Sequence, residues 1–116
     1  MLSSPKLGKE TLMTDASLNV INNKAAHRFE VRLGDETAFA EYRLEPDAIV
    51  FPHTVVPEVF GGKGVGGQLV QAGLAYAREL GLLVKPTCPF FHAYIAKRPD
   101  LHELVHPSMR AGLVTP

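Results

Sequence analysis

The sequence predicts one α+β domain of mixed α/β type, in which an antiparallel strand meander leads through a glycine-rich turn into a long amphipathic helix. Three observations predict it. Apolar and polar residues alternate strictly along residues 28–33, apolar residues recur at three- and four-residue steps from Val65 to Leu80, and five glycines crowd into the seven positions 61–67. With 116 residues and 46% hydrophobic content, the chain has material for a single core.

The first strand pattern is His27-Arg28-Phe29-Glu30-Val31-Arg32-Leu33, with Phe29, Val31 and Leu33 on one face and Arg28, Glu30 and Arg32 on the other. Gly34-Asp35-Glu36 supplies a turn, and the alternation resumes from Thr37 to Leu44 as an antiparallel return strand. Glu45-Pro46-Asp47 breaks that strand, and Ala48 to Val56 follows as a third, rich in β-branched residues. Pro52 cannot donate to a ladder, so the third strand is expected to bulge or lose a partner near its middle. A short strand around Leu18 to Ile21 precedes the hairpin. After the glycines, Val65, Leu69, Val70, Gly73, Leu74, Ala77 and Leu80 form an apolar helical stripe, and Gly81 stops the helix as its C-cap. Leu82 to Lys85 is a short buried strand able to pair in parallel, closed by Pro86. Cys88 is the expected N-cap and Pro89 the first residue of a short helix to Lys97, and Pro99 opens another through Val105. The single domain therefore runs over 18–106, between a flexible N-terminal tail at 1–17 and a C-terminal tail at 107–116.

Charge and cysteine content narrow the function classes. Twelve Lys and Arg balance twelve Asp and Glu, and the basic residues are scattered, which speaks against a nucleic-acid partner. Cys88 is the only cysteine, so no internal disulfide exists and a reducing, cytoplasmic setting is expected. Met1 to Asp15 has no continuous apolar run and resembles neither a signal peptide nor a membrane anchor.

Glycines between a strand and a helix start let the backbone approach an anion, and the first-turn N–H groups favour negative charge, so a phosphate is the natural ligand of Gly61-Gly62-Lys63-Gly64-Val65-Gly66-Gly67. A Walker loop is excluded because Gly64, and not Ser or Thr, follows Lys63. The dinucleotide fingerprint is met literally by Gly62, Gly64 and Gly67, yet Lys85 stands near the place of the ribose-binding acid, and too little chain follows for further βα units. The acyl-CoA pattern, Arg or Gln followed by two residues, Gly, one residue, and Gly or Ala, maps onto Gly61 to Gly66. A plain helix-capping turn is the remaining reading.

Several further motifs occur in a matching order. His53-Thr54-Val55-Val56-Pro57, the glycine turn, the helix after it, and Cys88-Pro89-Phe90 with Tyr94-Ile95 resemble the YjdJ-type branch of the GNAT acetyltransferase superfamily. The resemblance spans roughly residues 18–105 and implies a minimal GNAT-like fold that takes acetyl-CoA as co-substrate and passes its acetyl group to an amine. By that resemblance the backbone of Thr54, Val55 and Val56 would pair with the pantetheine arm and polarise the thioester carbonyl. Gly61, Gly62, Lys63, Gly64, Val65, Gly66 and Gly67 would hold the pyrophosphate, although Gly61 replaces the usual Arg or Gln and removes one side-chain contact.

Three side chains are candidates for chemistry. His53 is placed to accept a proton, since an imidazole has an ordinary pKa near ~6.5; its alternative is a hydrogen-bonded core histidine. Cys88, at a helix start that can activate a thiol, is either a transient acetyl acceptor or a buried lining group. Tyr94, further along the same helix, matches a tyrosine that protonates the departing CoA thiolate in relatives, or else packs with Phe90 and Phe91.

His102-Glu103-Leu104-Val105-His106 satisfies H-E-x-x-H, but no third zinc ligand is evident, so a metallopeptidase is a remote alternative and no metal is expected. A CoA-binding module without turnover is the nearer alternative. The acceptor is left open between a small polyamine, an amino acid and a protein lysine.

Overall fold

Phe51 and Phe91 stack face to face at the centre of the core, with ring centroids 4.3 Å apart and planes 12° from parallel. They belong to a strand and a helix that meet against Gly73 of the long helix that follows the glycine turn. The structure, a computed structural model, describes residues 19–113. The expected tail at 1–17, and Leu18 of the expected first strand, lie outside the described residues.

Five strands form one sheet in sequence order: β1 (Ile21–Asn23), β2 (Arg28–Leu33), β3 (Glu36–Leu44), β4 (Ala48–Val55) and β5 (Leu83–Lys85). The first four pair antiparallel as the meander predicts, with Phe29 opposite Ala40 and Phe39 opposite Val55. β5 joins β4 in parallel, with Ala48 opposite Leu83 and Val50 opposite Lys85, which requires the intervening helix as a crossover. That helix, α1 (Val65–Leu80), is followed after β5 by α2 (Pro89–Ala96) and α3 (Pro107–Arg110), with 3-10 turns at Glu58–Phe60, Pro99–Leu104 and Ala111–Leu113. Among the described residues no helix is long and apolar enough to cross a membrane.

Alternation sets which side of the sheet is covered. Phe29, Val31, Ala38, Ala40, Tyr42, Ile49 and Phe51 turn inward against Val65, Leu69, Val70, Leu74 and Ala77 of α1 and Phe91 and Ile95 of α2. Gly73 permits this approach: a Cβ there would lie 2.8 Å from the Phe51 ring and 3.3 Å from that of Phe91. Gly81 ends α1 in the left-handed conformation at φ 70°, as a C-cap glycine does, while Leu80 at the last turn is exposed.

The structure departs from the sequence reading in four places. Glu30, expected on the solvated face, is 5% exposed because the Arg28 guanidinium and the Asn23 amide close over its carboxylate. The helix expected from Pro99 to Val105 is a 3-10 turn ending at Leu104, and Val105 bridges Val84 in parallel at the sheet's edge. The first strand begins at Ile21 and runs on to Asn23, because its ladder with β2 starts opposite Glu30. Residues 107–113, expected as tail, form a helical turn and a 3-10 turn, with Leu113 3% exposed in the core.

Candidate active site

The separation of β4 from β5 is written into the register. β4 pairs with β5 only from Ala48 to Val50, and one extra β4 residue is accommodated between the Arg43–Val50 and Glu41–His53 pairs of the β3 ladder. This is the bulge expected at Pro52, and it turns the strand away from β5. The Phe51 carbonyl closes the junction by accepting from the Cys88 N–H at 2.8 Å and the Thr87 hydroxyl at 3.3 Å. Past that point, among the described residues, Pro52 to Val55 have no strand on their β5 side, so a wedge of unpaired backbone opens beside the glycine turn.

The side chains around the wedge follow from strand alternation. Thr54 faces α2, where its hydroxyl accepts a hydrogen bond from the Cys88 thiol at 3.3 Å. His53 faces the opposite side of the sheet and is exposed, its ring 6.2 Å from that of Phe39, so it is not a core histidine. Val55 is half-buried and Val56 is 38% exposed. Cys88 is the α2 N-cap, as expected, but its side chain is only 4% exposed.

From the wedge the chain passes through the 3-10 turn, pinned by the buried Phe60, into the glycines. Gly62 and Gly64 take the left-handed conformation, φ 75° and 70°, with open space where a Cβ would point. Among the described residues, the N–H groups of Gly62, Gly64, Val65, Gly66 and Gly67 donate to no carbonyl or side chain, whereas Lys63 N–H is taken by the Phe60 carbonyl. A row of unpaired donors at a helix start, reached without side-chain obstruction, suits an oxyanion. Val65 turns its side chain into the core, and Gly66 serves packing, because a Cβ there would fall 2.4 Å from Phe90 Cζ. Phe90 is itself 42% exposed, resting on the start of α1.

The structure thus brings Thr54, Cys88 and the glycine turn together, with His53 on the reverse side of the same strand end. Tyr94 lies further along α2, with its ring against the last glycine of the turn. It lies six residues beyond Cys88, about 9 Å along the helix axis. Its hydroxyl accepts from Gln71 Nε2 at 2.9 Å and its ring lies 3.5 Å from the Cβ position of Gly67. The two histidines of H-E-x-x-H part company: His102 Nε2 meets the Ile95 carbonyl at 3.0 Å, and His106 Nε2 meets Asp47 Oδ2 at 3.0 Å while its Nδ1 caps Ser108 N–H. The 3-10 geometry of Pro99–Leu104 removes the α-helical spacing that would put both rings on one face.

Sequence reading missed three contributors. The Phe51 carbonyl is a backbone group and leaves no residue signal. Gln71 and Arg78 were legible only as polar positions of an amphipathic helix, yet they line a cleft with Tyr94 and Arg98.

A meander, a bulged strand leaving its parallel neighbour, and a glycine turn opening a helix define an acyl-CoA N-acyltransferase architecture. The sequence model of the GCN5-related N-acetyl-transferase family matches residues 28–104, more than half of the chain. The chain belongs to that family, and its class is therefore acetyltransferase. Among curated proteins it is similar to Protein NATD1 of Xenopus tropicalis, with 24% identity over 93 residues covering 78% of this chain and 85% of that protein.

Proposed function

We propose that the protein transfers an acetyl group from acetyl-CoA to a primary amine, as a small member of the YjdJ-type branch working in the cytoplasm. The wedge at Pro52 to Val55 carries this reading, because an unpaired strand edge ending at a row of free N–H groups matches a ligand with amide groups at one end and phosphates at the other.

In this reading the β4 edge pairs with the pantetheine amides through Thr54, Val55 and Val56, and the N–H groups from Gly62 to Gly67 hold the pyrophosphate. Gly61 adds no side-chain contact, so binding relies on backbone donors. A backbone N–H of the strand end stabilises the oxyanion that develops as the amine nitrogen attacks the thioester carbon. The C–N bond forms, the C–S bond breaks, and the proton lost by the amine passes to His53 on the reverse face. The departing thiolate takes a proton from the Tyr94 hydroxyl, which accepts from Gln71 Nε2 and so keeps its own O–H free to donate, or from solvent. Attack is direct: the Cys88 thiol is buried and donates to Thr54, which suits a group that shapes the pocket and not one that accepts acetyl.

Thermal unfolding with acetyl-CoA, CoA and NAD tests donor recognition. A ligand at a hundred times its Kd stabilises the folded state by about 2.7 kcal/mol, a readily measured rise in Tm. Acetyl-CoA and CoA are expected to give that rise and NAD none; equal shifts, or none, would overturn the reading. Free-thiol release with polyamines, amino acids and lysine peptides then identifies the acceptor, and binding without release would leave a CoA-binding module.

A further inference from the structure

The face of the sheet turned away from α1 carries a line of side chains that the strand register sets side by side. Asn23 of β1 stands opposite Arg28 of β2, Arg28 opposite Glu41 of β3, and Glu41 opposite His53 of β4. Ala40 and Tyr42 on either side of Glu41 are buried in the core, so strand alternation turns the Glu41 carboxylate to the same face as His53. Residues directly opposite in an antiparallel pair have Cβ atoms about 5 Å apart, which puts the carboxylate within reach of a small molecule held at the imidazole. The cations nearest to Glu41 are committed elsewhere. Arg28, its partner in the register, turns its guanidinium to Glu30 and lies 4.4 Å from the centroid of the Phe39 ring. Arg43, two residues along the same strand, reaches Glu45 at 3.7 Å, and Arg32 lies two rows away, opposite Thr37. Glu41 itself has no ion pair among the described residues. A half-buried carboxylate without a cation, next to the proton acceptor at the end of the wedge, attracts positive charge and repels negative charge at that point.

We propose that Glu41 selects the acceptor: the substrate is a small amine carrying a second positive charge, a diamine or polyamine, with that charge held at Glu41 while its other nitrogen reacts. The inference rests on the acetyl transfer proposed above. The reacting nitrogen, neutral at attack, forms the amide and gives its proton to His53. The second nitrogen stays an ammonium on the carboxylate and makes no covalent bond. An amino acid brings a carboxylate of its own into the same space and is disfavoured.

The test compares putrescine, aminobutanol and γ-aminobutyrate by thiol release from acetyl-CoA, since these share a primary amine and a similar chain and differ in the charge at the far end. Putrescine is expected to show a kcat/KM per amine about fivefold above that of aminobutanol, with γ-aminobutyrate lowest and the difference mostly in KM. Glu41→Gln is expected to bring putrescine and aminobutanol to within about twofold of each other, and Glu41→Lys to put γ-aminobutyrate first, the fold of each variant being verified by its rise in Tm with acetyl-CoA. Aminobutanol used as well as putrescine by the original chain, or a preference for putrescine that persists in Glu41→Gln, overturns the proposal and leaves acetyl transfer standing. If no amine releases thiol, acetyl transfer fails, and the ammonium site is then read by NMR titration of the CoA-saturated full chain with putrescine. Saturable shifts at His53 that vanish in Glu41→Gln support the site; their absence, or their survival in that variant, overturns it.

Discussion

Gly73→Ala places a single methyl group where α1 crosses the Phe51–Phe91 stack. The new carbon would sit 2.8 Å from Phe51 Cε1 and Cζ and 3.3 Å from Phe91 Cε2. Both rings are 0% exposed and stacked on each other, so neither has an open side to retreat into. Overpacking a core in this way costs about 1–3 kcal/mol, whereas alanine for glycine inside a helix returns about 1 kcal/mol. The net expectation is a loss of about 1 kcal/mol, or a fall in Tm of about 3–6 °C for a domain of this size. Gly67→Ala is the control, since its methyl would meet Tyr94 at an ordinary 3.5 Å, so it keeps much of the helical gain without the clash. Urea unfolding of the two variants, followed by far-UV circular dichroism, measures the difference. Because the Phe51 carbonyl holds Cys88 and Thr87 at the junction of β4 and β5, pressure on its ring should also weaken acetyl-CoA binding. Gly73→Ala equal to or more stable than Gly67→Ala, with donor binding intact, would refute the reasoning.

Three further outcomes follow from the same geometry. Cys88→Ser should retain most of kcat, and intact-mass spectrometry of the original enzyme with acetyl-CoA alone should show no acetylated protein; loss of turnover together with an acetyl adduct would establish the covalent route instead. His53→Gln should lower kcat about a hundredfold at neutral pH with Tm unchanged, because its ring is exposed and lies 6.2 Å from that of Phe39. Glu30→Gln should flatten the acid limb of stability. The Arg28 hydrogen bond holds the Glu30 carboxyl below its ordinary 4.5, so the unfolded chain binds the proton more readily than the folded one. The stabilisation it gives is therefore complete above the ordinary value and disappears as pH falls through the lower folded one. Urea titrations between pH 3 and pH 6 check this, and an unchanged acid slope in Glu30→Gln would count against it.

The sequence by itself determined the elements that local rules control. Strict alternation at 28–33 placed β2, the three- and four-residue repeat with Gly81 placed α1 to its last residue, and Pro89 placed the start of α2, because each depends on side-chain periodicity or on a backbone constraint carried by one residue. Pro52 likewise announced the bulge. What the sequence left open was decided by contacts between distant segments. The expected helix through Val105 became an edge bridge because Val84 offered it a partner, and Leu113 was drawn into the core by an apolar surface that only the folded sheet creates. The candidate site divides the same way. The glycine turn was legible as a phosphate loop because its chemistry lies in consecutive backbone donors, but its relation to Cys88, Thr54 and His53 depended on which face each residue took once the bulge shifted the register. Thr54 meeting the Cys88 thiol across 34 positions, His53 turning to the opposite face, and Tyr94 joining Gln71 and Arg98 are products of packing, because strand register and helix rotation are fixed only when the core closes.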